Sequence, residues 1–357
     1  MIPSGHHDLN RRDLFAPEQL AVATGQVAAA LDLGSDPAGV VPDELALVRL
    51  GWQAMATRWE IVLPWGTAQA LEAGQDAFAL LDRLEAQLTV YRPDSEVSRL
   101  NRTATRRPVR LESRLFRLLE QSYHLSAETE GAFDITTGPL IRLWGFFQGP
   151  RRVPTEPERR TTLEAVGFRH LLLDAPGQSV AFRHPQVGIN LGSIGKGYAL
   201  DRLAGCLSQH WKIHTVLLHG GSSSVYAKGS PRSDGRGWCV RLRHPWIPGR
   251  YLGQVNLLDR ALGTSAATFQ YLEFQGKKLG HVLDPRSGWP AAGVASASVV
   301  APEGAQADAL STAFYVGGID LARSYCDRHP EIGAVLLLEG ERDPVVLNLP
   351  PADFSLS

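Results

Sequence analysis

Apolar positions along this chain recur at two spacings, and the switches between them mark out its elements. Over 68–88 they fall three and four apart, with Phe78, Leu81, Leu84 and Leu88 on one side, which predicts an amphipathic helix. Over 52–63 they alternate, which predicts a strand closed by a turn at 64–66. A helix through Leu115, Leu118, Leu119 and Tyr123 follows, with Ser113 as its cap. Beyond Pro157 the spacing gives a short helix, strands at 171–174, 180–182 and 188–191, and a helix over 198–207 after a glycine-rich turn. Strands at 215–219, 239–242 and 252–257 lead into the last third. There the pattern gives strands at 279–283, 295–300 and 334–338 and helices at 305–316 and 321–328. Strands are too many for a doubly wound fold, and several follow one another with no helix between them. The prediction is a mixed α+β fold on largely antiparallel sheet, with no repeat of fixed period.

Composition narrows the partners more than the fold. The 357 residues can bury a substantial core, and 44% hydrophobic with 20% charged residues is ordinary for a globular chain. A formal net charge of −1 provides no global field for nucleic acid or an anionic membrane. Arg151, Arg152, Arg159 and Arg160, broken by Pro154 and Pro157, read as a solvated loop. The three cysteines, Cys206, Cys239 and Cys326, show no CxxC pair and suit neither a zinc site nor a disulfide framework. Cys206 falls in an apolar helical pattern and reads as core. No stretch approaches the roughly 20 apolar residues of a membrane span. Residues 1–48 read as an extension ahead of a folded domain at 49–350. Arg11-Arg12-Asp13-Leu14-Phe15 is similar to a twin-arginine export motif, but Glu18, Gln19 and Gln26 interrupt the apolar segment that should follow it. With no cysteine near the start to carry a lipid, the expected compartment is cytoplasm or periplasm.

Several segments offer chemistry. Asn190-Leu191-Gly192-Ser193-Ile194-Gly195-Lys196-Gly197-Tyr198, followed by Asp201, reads as strand, glycines, then helix. Such a junction gathers backbone N–H groups at the positive end of a helix and favours an anion. It is not a P-loop, because Gly197 stands where Ser or Thr must follow Gly-Lys. Its glycines at 192, 195 and 197 also miss the dinucleotide fingerprint. A phosphate site and a plain tight turn are both open readings. Asp308 and Thr312, four apart on a helix, share a face and offer hard oxygen donors to magnesium; an acid near a helix start and a threonine bonding its own helix would look the same. His281 could take a hydroxyl proton near neutral pH, and Asp284-Pro285 begins a turn that Gly288 can close. A turn-forming aspartate beside an unrelated histidine is the simpler alternative. Gly131-Ala132-Phe133-Asp134-Ile135-Thr136-Thr137-Gly138-Pro139-Leu140, running into Leu143-Trp144-Gly145-Phe146, suits a planar ligand with polar edges or a well-packed loop.

The order of these segments says more than any one of them. Together they resemble the ApbE family of FAD:protein FMN transferases. Met55-Ala56-Thr57 is similar to the family's Met-Gly-Thr opening, and Tyr91, Ser95, Glu96 and Asn101 to its Tyr … Ser-Glu-(x)4-Asn stretch. Residues 131–146 resemble its Gly-x-Phe-Asp-x-Thr … Pro-Leu … Trp-Gly-Phe block, and 192–201 its Gly-x-x-x-Lys-Gly-Tyr-Ala-x-Asp segment. Residues 281–288 and 307–312 are similar to His-x-x-Asp-Pro-x-(Ser/Thr)-Gly and Ala-Asp-Ala-x-x-Thr. The resemblance covers about residues 50–340. It implies a bilobed α+β fold with a T-fold-like, largely antiparallel sheet core and flanking helices. It further implies FAD in a cleft, Mg2+ at its pyrophosphate, and transfer of FMN to a threonine hydroxyl of a target flavoprotein with release of AMP. On that basis His281, then Asp284, are the expected bases. The expected flavin contacts are Met55, Tyr91, Ser95, Glu96, Asn101, Asp134, Thr136, Gly192, Gly195, Lys196, Asp201, Thr264, Ser265 and His281. The expected metal ligands are Ser193, Asp308 and Thr312.

Departures from the family pattern fall in ligand-contacting loops and spare the metal pair and His281. Asn190 replaces an aspartate, Thr264-Ser265-Ala266-Ala267-Thr268-Phe269 replaces Thr-Ser-Gly-x-Tyr-Arg, and Gly220-Gly221-Ser222 replaces Gly-Gly-Asp or Gly-Gly-Asn. Two other activities are compatible with the same residues: magnesium-dependent hydrolysis of FAD to FMN and AMP, and flavin binding without turnover. A target of the transferase would carry an Asp-(x)3-(Ser/Thr)-Gly-Ala-Thr-like motif; none is obvious here, so the chain reads as the modifier.

Overall fold

The structure, a computed structural model, describes residues 46–147, 149–266, 271–274 and 277–356. The Arg11-Arg12 pair, with the predicted extension as far as residue 45, lies outside them, as do residues 267–269 of the altered stretch.

The described residues build an eight-stranded sheet whose spatial order follows the sequence: β1 (Leu47–Ala54), β2 (Thr57–Pro64), β3 (Val216–Gly220), β4 (Ser224–Lys228), β5 (Arg260–Ala266), β6 (Val294–Ala301), β7 (Gly333–Leu338) and β8 (Val345–Leu347). Every neighbouring pair is antiparallel. The helices are α1 (Ala70–Leu88), α2 (Glu96–Thr103), α3 (Ser113–Glu128), α4 (Gly138–Leu143), α5 (Glu156–Leu163), α6 (Gly195–Gln209) and α7 (Gly304–Arg328). This is the α+β class with antiparallel sheet that the alternation predicts.

Alternation along each strand sends side chains to two different cores. Trp59, Ile61, Leu63, Ala297 and Val299 pack beneath Phe78 and Leu81 of α1, Leu200 and Leu203 of α6, and Leu310 and Phe314 of α7. On the opposite face Val62, Leu217, Leu262, Val300 and Leu337 meet Trp238, Leu252, Val255 and Phe354. These last four come from a three-stranded sheet of Trp238–Arg243, Tyr251–Leu257 and Phe354–Leu356. With both faces covered, every residue of β6 is buried. A smaller cluster of Leu140, Trp144, Val166 and Leu283 ties α4 to the segment after His281.

Some elements differ from the prediction for local reasons. The strand expected over 52–63 is a hairpin: Met55 and Ala56 turn at φ 49° and 56°, between Ala54 and Thr57. Both residues of such a turn need positive φ, and neither is the Gly, Asn or Asp that would announce it. The cap of α3 is Glu112, whose carboxylate accepts from the N–H groups of Arg114 and Leu115 at 3.0 Å each. Ser113, the expected cap, donates instead to Gln178. Residues 188–191 form no named strand, only a parallel bridge from Gly188 to Thr137. The two helices expected near the C-terminus are both present: α7 is two helical segments that meet at Gly318, whose backbone is non-helical (φ 78°, ψ −171°). Among the described residues no helix is long and apolar enough to cross a membrane.

Candidate active site

The site is organised by the crossing of two helix N-termini. A Cβ on Gly197 would stand 1.9 Å from the carbonyl oxygen of Gly304, and one on Gly304 would stand 2.5 Å from that of Gly197. Only glycines allow α6 and α7 to start this close together. Each helix then caps the other. Asp201 of α6 accepts the N–H groups of Gly304 at 2.6 Å and Ala305 at 2.9 Å, at the open start of α7. Asp308, one turn into α7, reaches back and accepts the N–H of Gly197 at 2.7 Å. Its other oxygen accepts the Ser224 hydroxyl at 2.8 Å, from the start of β4.

Charge in this crossing is unbalanced. Asp308 is 6% exposed, and burial pushes its carboxyl up, opposed first by nearby Lys196 and then by the Ser224 and Gly197 donors. Asp201 is half-buried, and enclosure pushes it up to about 7, against its two N–H donors, with Glu303 and Asp308 adding to the rise. Of the two acids, Asp308 shares its place with Lys196 on the wall of the site, while Asp201 stays behind it as the cap of α7.

That place opens into a cavity of about 340 Å³. Its walls are Asn190, Gly192, Ser193 and Lys196 at the start of α6; Thr264 and Ser265 on β5; Asp308, Ser311 and Thr312 on α7; and His281 to Leu283 with Pro285. Tyr91, Ala132, Asp134, Thr137, Ile141 and Phe146 close the other side. Ser265 Oγ lies 2.9 Å from Ser311 Oγ and 3.2 Å from Thr312 Oγ1. Both α7 hydroxyls donate to the Asp308 carbonyl, at 2.9 and 3.3 Å, so Thr312 does bond its own helix while its lone pairs remain on the cavity wall. A buried carboxylate among hydroxyl oxygens, with no sulfur or imidazole in that group, fits a hard cation such as Mg2+.

The predicted residues divide between this cavity and its supports. Tyr91, Asp134, Gly192, Ser193, Lys196, Thr264, Ser265, His281, Asp308 and Thr312 line it. Asn101 lines an adjoining cavity of about 310 Å³ with Tyr91, Asn190, Arg142 and Phe147. There its amide brackets the backbone of Ile189, at 2.9 and 2.8 Å, and Tyr91 stacks on Phe147 at 4.8 Å. The others act through the scaffold. Met55 sits at the β1–β2 turn, its N–H donating to Glu85. Ser95 caps α2 by accepting from Ser98, and Glu96 accepts from Gln87 and from the N–H of Glu112. Thr136 donates to Asp134, whose other oxygen takes the N–H of Phe168, so that carboxylate is spent on the loop. Gly195 belongs to the first turn of α6, and Asp201 is the cap of α7.

Asp284, expected as the second base, is committed to a turn. Arg286 holds its carboxylate through two contacts of 2.9 and 3.1 Å, and Gly288 N–H closes the turn on its carbonyl. Arg159 is also not the solvated loop residue it was expected to be: it lies over the Trp289 ring and donates to the Ser287 carbonyl. Asn190 keeps an acceptor without the charge, its Oδ1 taking the N–H of Gly192 at 2.8 Å. Ser224 and Ser311 were not foreseen, because small hydroxyl residues in apolar segments carry no spacing signal. Arg142 was missed as well; burial lowers its pKa beneath the second cavity.

The sequence pattern of the ApbE family matches residues 55–336. The chain is similar to an FAD:protein FMN transferase of Haemophilus influenzae, 30% identical over 299 residues, covering 80% of this chain and 85% of that protein. It is also similar to one of Escherichia coli, 28% identical over 298 residues, covering 81% and 84%. Among solved structures it superimposes on the ApbE protein of Thermotoga maritima with a TM-score of 0.75 at 26% identity, covering 84% of this chain and 97% of the other. For the flavin transferase ApbE of Vibrio cholerae the TM-score is 0.74 at 26% identity, covering 85% and 97%. A match over most of the chain in sequence and in fold, across a range that includes the α6–α7 crossing, means that this chain belongs to the ApbE family.

Proposed function

We propose that this protein is an FAD:protein FMN transferase, moving FMN from FAD to a threonine hydroxyl of a target flavoprotein in a magnesium-dependent reaction that releases AMP. The observation that carries this reading is the convergence of Asp308, the Ser265–Ser311–Thr312 hydroxyls and Lys196 on one cavity wall. A pyrophosphate is recognised by that combination: the Lys196 ammonium and the positive end of α6 favour its charge. The oxygen donors Asp308, Thr312 and Ser193 are the residues that would hold magnesium. When bound, the metal supplies neutralisation of the pyrophosphate and of the leaving phosphate.

The protein's remaining work is positioning and proton management. The threonine oxygen bonds to the phosphorus that bears riboflavin, and the bond from that phosphorus to the AMP oxygen breaks. The hydroxyl proton passes to a base on the cavity wall, for which His281 is the candidate. AMP leaves as the anion, and the acceptor carries FMN in phosphodiester linkage. The Tyr91–Phe147 stack at the shared edge of the two cavities offers an aromatic surface suited to a planar ring.

Asp308→Asn tests the carrying observation, since it keeps the shape of the side chain and removes its charge. Release of AMP from FAD at saturating Mg2+ is expected to fall at least about 100-fold, the scale of losing one electrostatic contact in a site of this kind. A variant that retains more than about a tenth of the wild-type rate contradicts the reading.

A further inference from the structure

The far end of α6 holds a side-chain cluster that FMN transfer does not use. Cys206, in the last turn of that helix, and His210, its C-terminal cap residue with helical φ and ψ, stand four residues apart and share a face. Asp76 approaches them from α1. The Cys206 sulfur lies 3.5 Å from Asp76 Oδ2 and 4.0 Å from His210 Nδ1, and one ligand atom from each residue lies within 4.8 Å of the other two. Cys206 is buried, while His210 is exposed and open to solvent exchange. Trp211 donates its Nε1–H to the Asp76 carboxylate at 3.1 Å, the kind of outer hydrogen bond that orients metal-ligating side chains.

We propose that Asp76, Cys206 and His210 form a second metal site, separate from the cavity, that takes a zinc-class divalent cation through oxygen, sulfur and nitrogen and leaves a fourth position open. The dimensions are close to those of a site. A tetrahedral centre with bonds of about 2.0–2.3 Å has ligand-to-ligand edges of about 3.3–3.8 Å: the Cys206–Asp76 separation of 3.5 Å lies inside that range and the Cys206–His210 separation of 4.0 Å just above it. The remaining Asp76–His210 edge, within 4.8 Å, shortens on binding through rotation of the exposed His210 ring. Ligand chemistry separates the two sites as well. The oxygen set around Asp308 suits magnesium, whereas a thiolate with an imidazole selects a softer ion. No CxxC spacing announces this site, because helix periodicity and the packing of α1 on α6 assemble it.

Binding forms the sulfur–metal bond and sends the thiol proton to solvent. Because a thiol must lose its proton to ligate a metal, the cation competes with that proton and is held more tightly as pH rises. Once bound, it joins the end of α6 to α1, and the start of α6 carries Lys196 into the cavity. The clamp therefore stiffens the helix on which the first site is built.

The test is a titration of the metal-free full chain with Co2+ in the presence of excess Mg2+. One equivalent is expected to bring up a thiolate-to-cobalt charge-transfer band, and Zn2+ to displace it. Cys206→Ser abolishes the band, His210→Ala weakens binding at least about tenfold, and both Asp308→Asn and Cys239→Ser retain it. His210 is exposed, so its variant keeps the test sound if the buried Cys206 variant folds poorly. Absence of the band at one equivalent, or its persistence in Cys206→Ser, overturns the proposal.

Discussion

Placing an alanine at Gly197 asks whether the crossing of α6 and α7 builds the site. The added Cβ would meet Gly304 O at 1.9 Å, Gly304 C at 2.3 Å and Ala305 N at 2.8 Å. All three are backbone atoms, so no rotamer change relieves the contact. Ordinary contact begins near 3.4 Å, and the helices must part by about 1.5 Å to reach it. The 2.7 Å bond from Gly197 N–H to Asp308 then opens beyond hydrogen-bonding range. Loss of that charge-assisted bond costs roughly 1.5–3 kcal/mol, and forcing the core apart adds about 1–3 kcal/mol. The total, about 2.5–6 kcal/mol, is a large part of the 5–15 kcal/mol that holds a typical domain folded. Gly205 provides the control: it lies on the same helix, but a Cβ there meets nothing within 4 Å. Gly205→Ala is therefore expected to gain roughly 0.5–1 kcal/mol from helix propensity. Urea unfolding followed by circular dichroism, with AMP release measured alongside, reads both variants. The reasoning is refuted if Gly197→Ala matches the wild type in midpoint and rate.

Two further outcomes follow from local geometry. Ala56 holds φ at 56° in the β1–β2 turn, where a Cβ costs about 1–2 kcal/mol; Ala56→Gly is expected to raise stability by about 1 kcal/mol in urea unfolding, and a lowered midpoint would count against the turn described here. Asp201, pushed from 3.8 up to about 7 in the folded protein, binds a proton there more readily than in the unfolded chain. Its contribution to stability is thus fully present below about pH 4 and is lost as pH rises through about 7. Asp201→Asn is expected to flatten the stability profile across that window, and parallel profiles for variant and wild type would show that Asp201 does not titrate there.

Local periodicity made part of the site readable. Asp308 and Thr312 fall four apart on a helix with clear spacing, and the glycines of 192–197 mark a strand-to-helix junction; spacing left both readings open, and their expected roles came from the family that the ordered segments resemble. What each residue does depends on partners that spacing cannot reach. Asp201 caps a helix that begins 103 residues later, and the Ser224 donor to Asp308 stands 84 residues before it. Asp284 was expected as a second base on the family resemblance; the residue that holds its carboxylate, Arg286, stands two positions on and reads as an ordinary turn residue. β5 was not expected, since Gly263, Thr264 and Ser265 give no alternation of apolar and polar positions, yet it forms the hydroxyl wall of the cavity. The fold class depended only on counting strands and survived these local misreadings.

The account turns on whether FMN becomes attached to a threonine. The direct measurement is mass spectrometry of an acceptor flavoprotein carrying an Asp-(x)3-(Ser/Thr)-Gly-Ala-Thr-like motif after incubation with this protein, FAD and Mg2+. The expected result is one FMN in phosphodiester linkage on the motif threonine, one AMP released per adduct, and no adduct when that threonine is replaced by alanine. Free FMN with an unmodified acceptor, or FAD recovered intact, would contradict it.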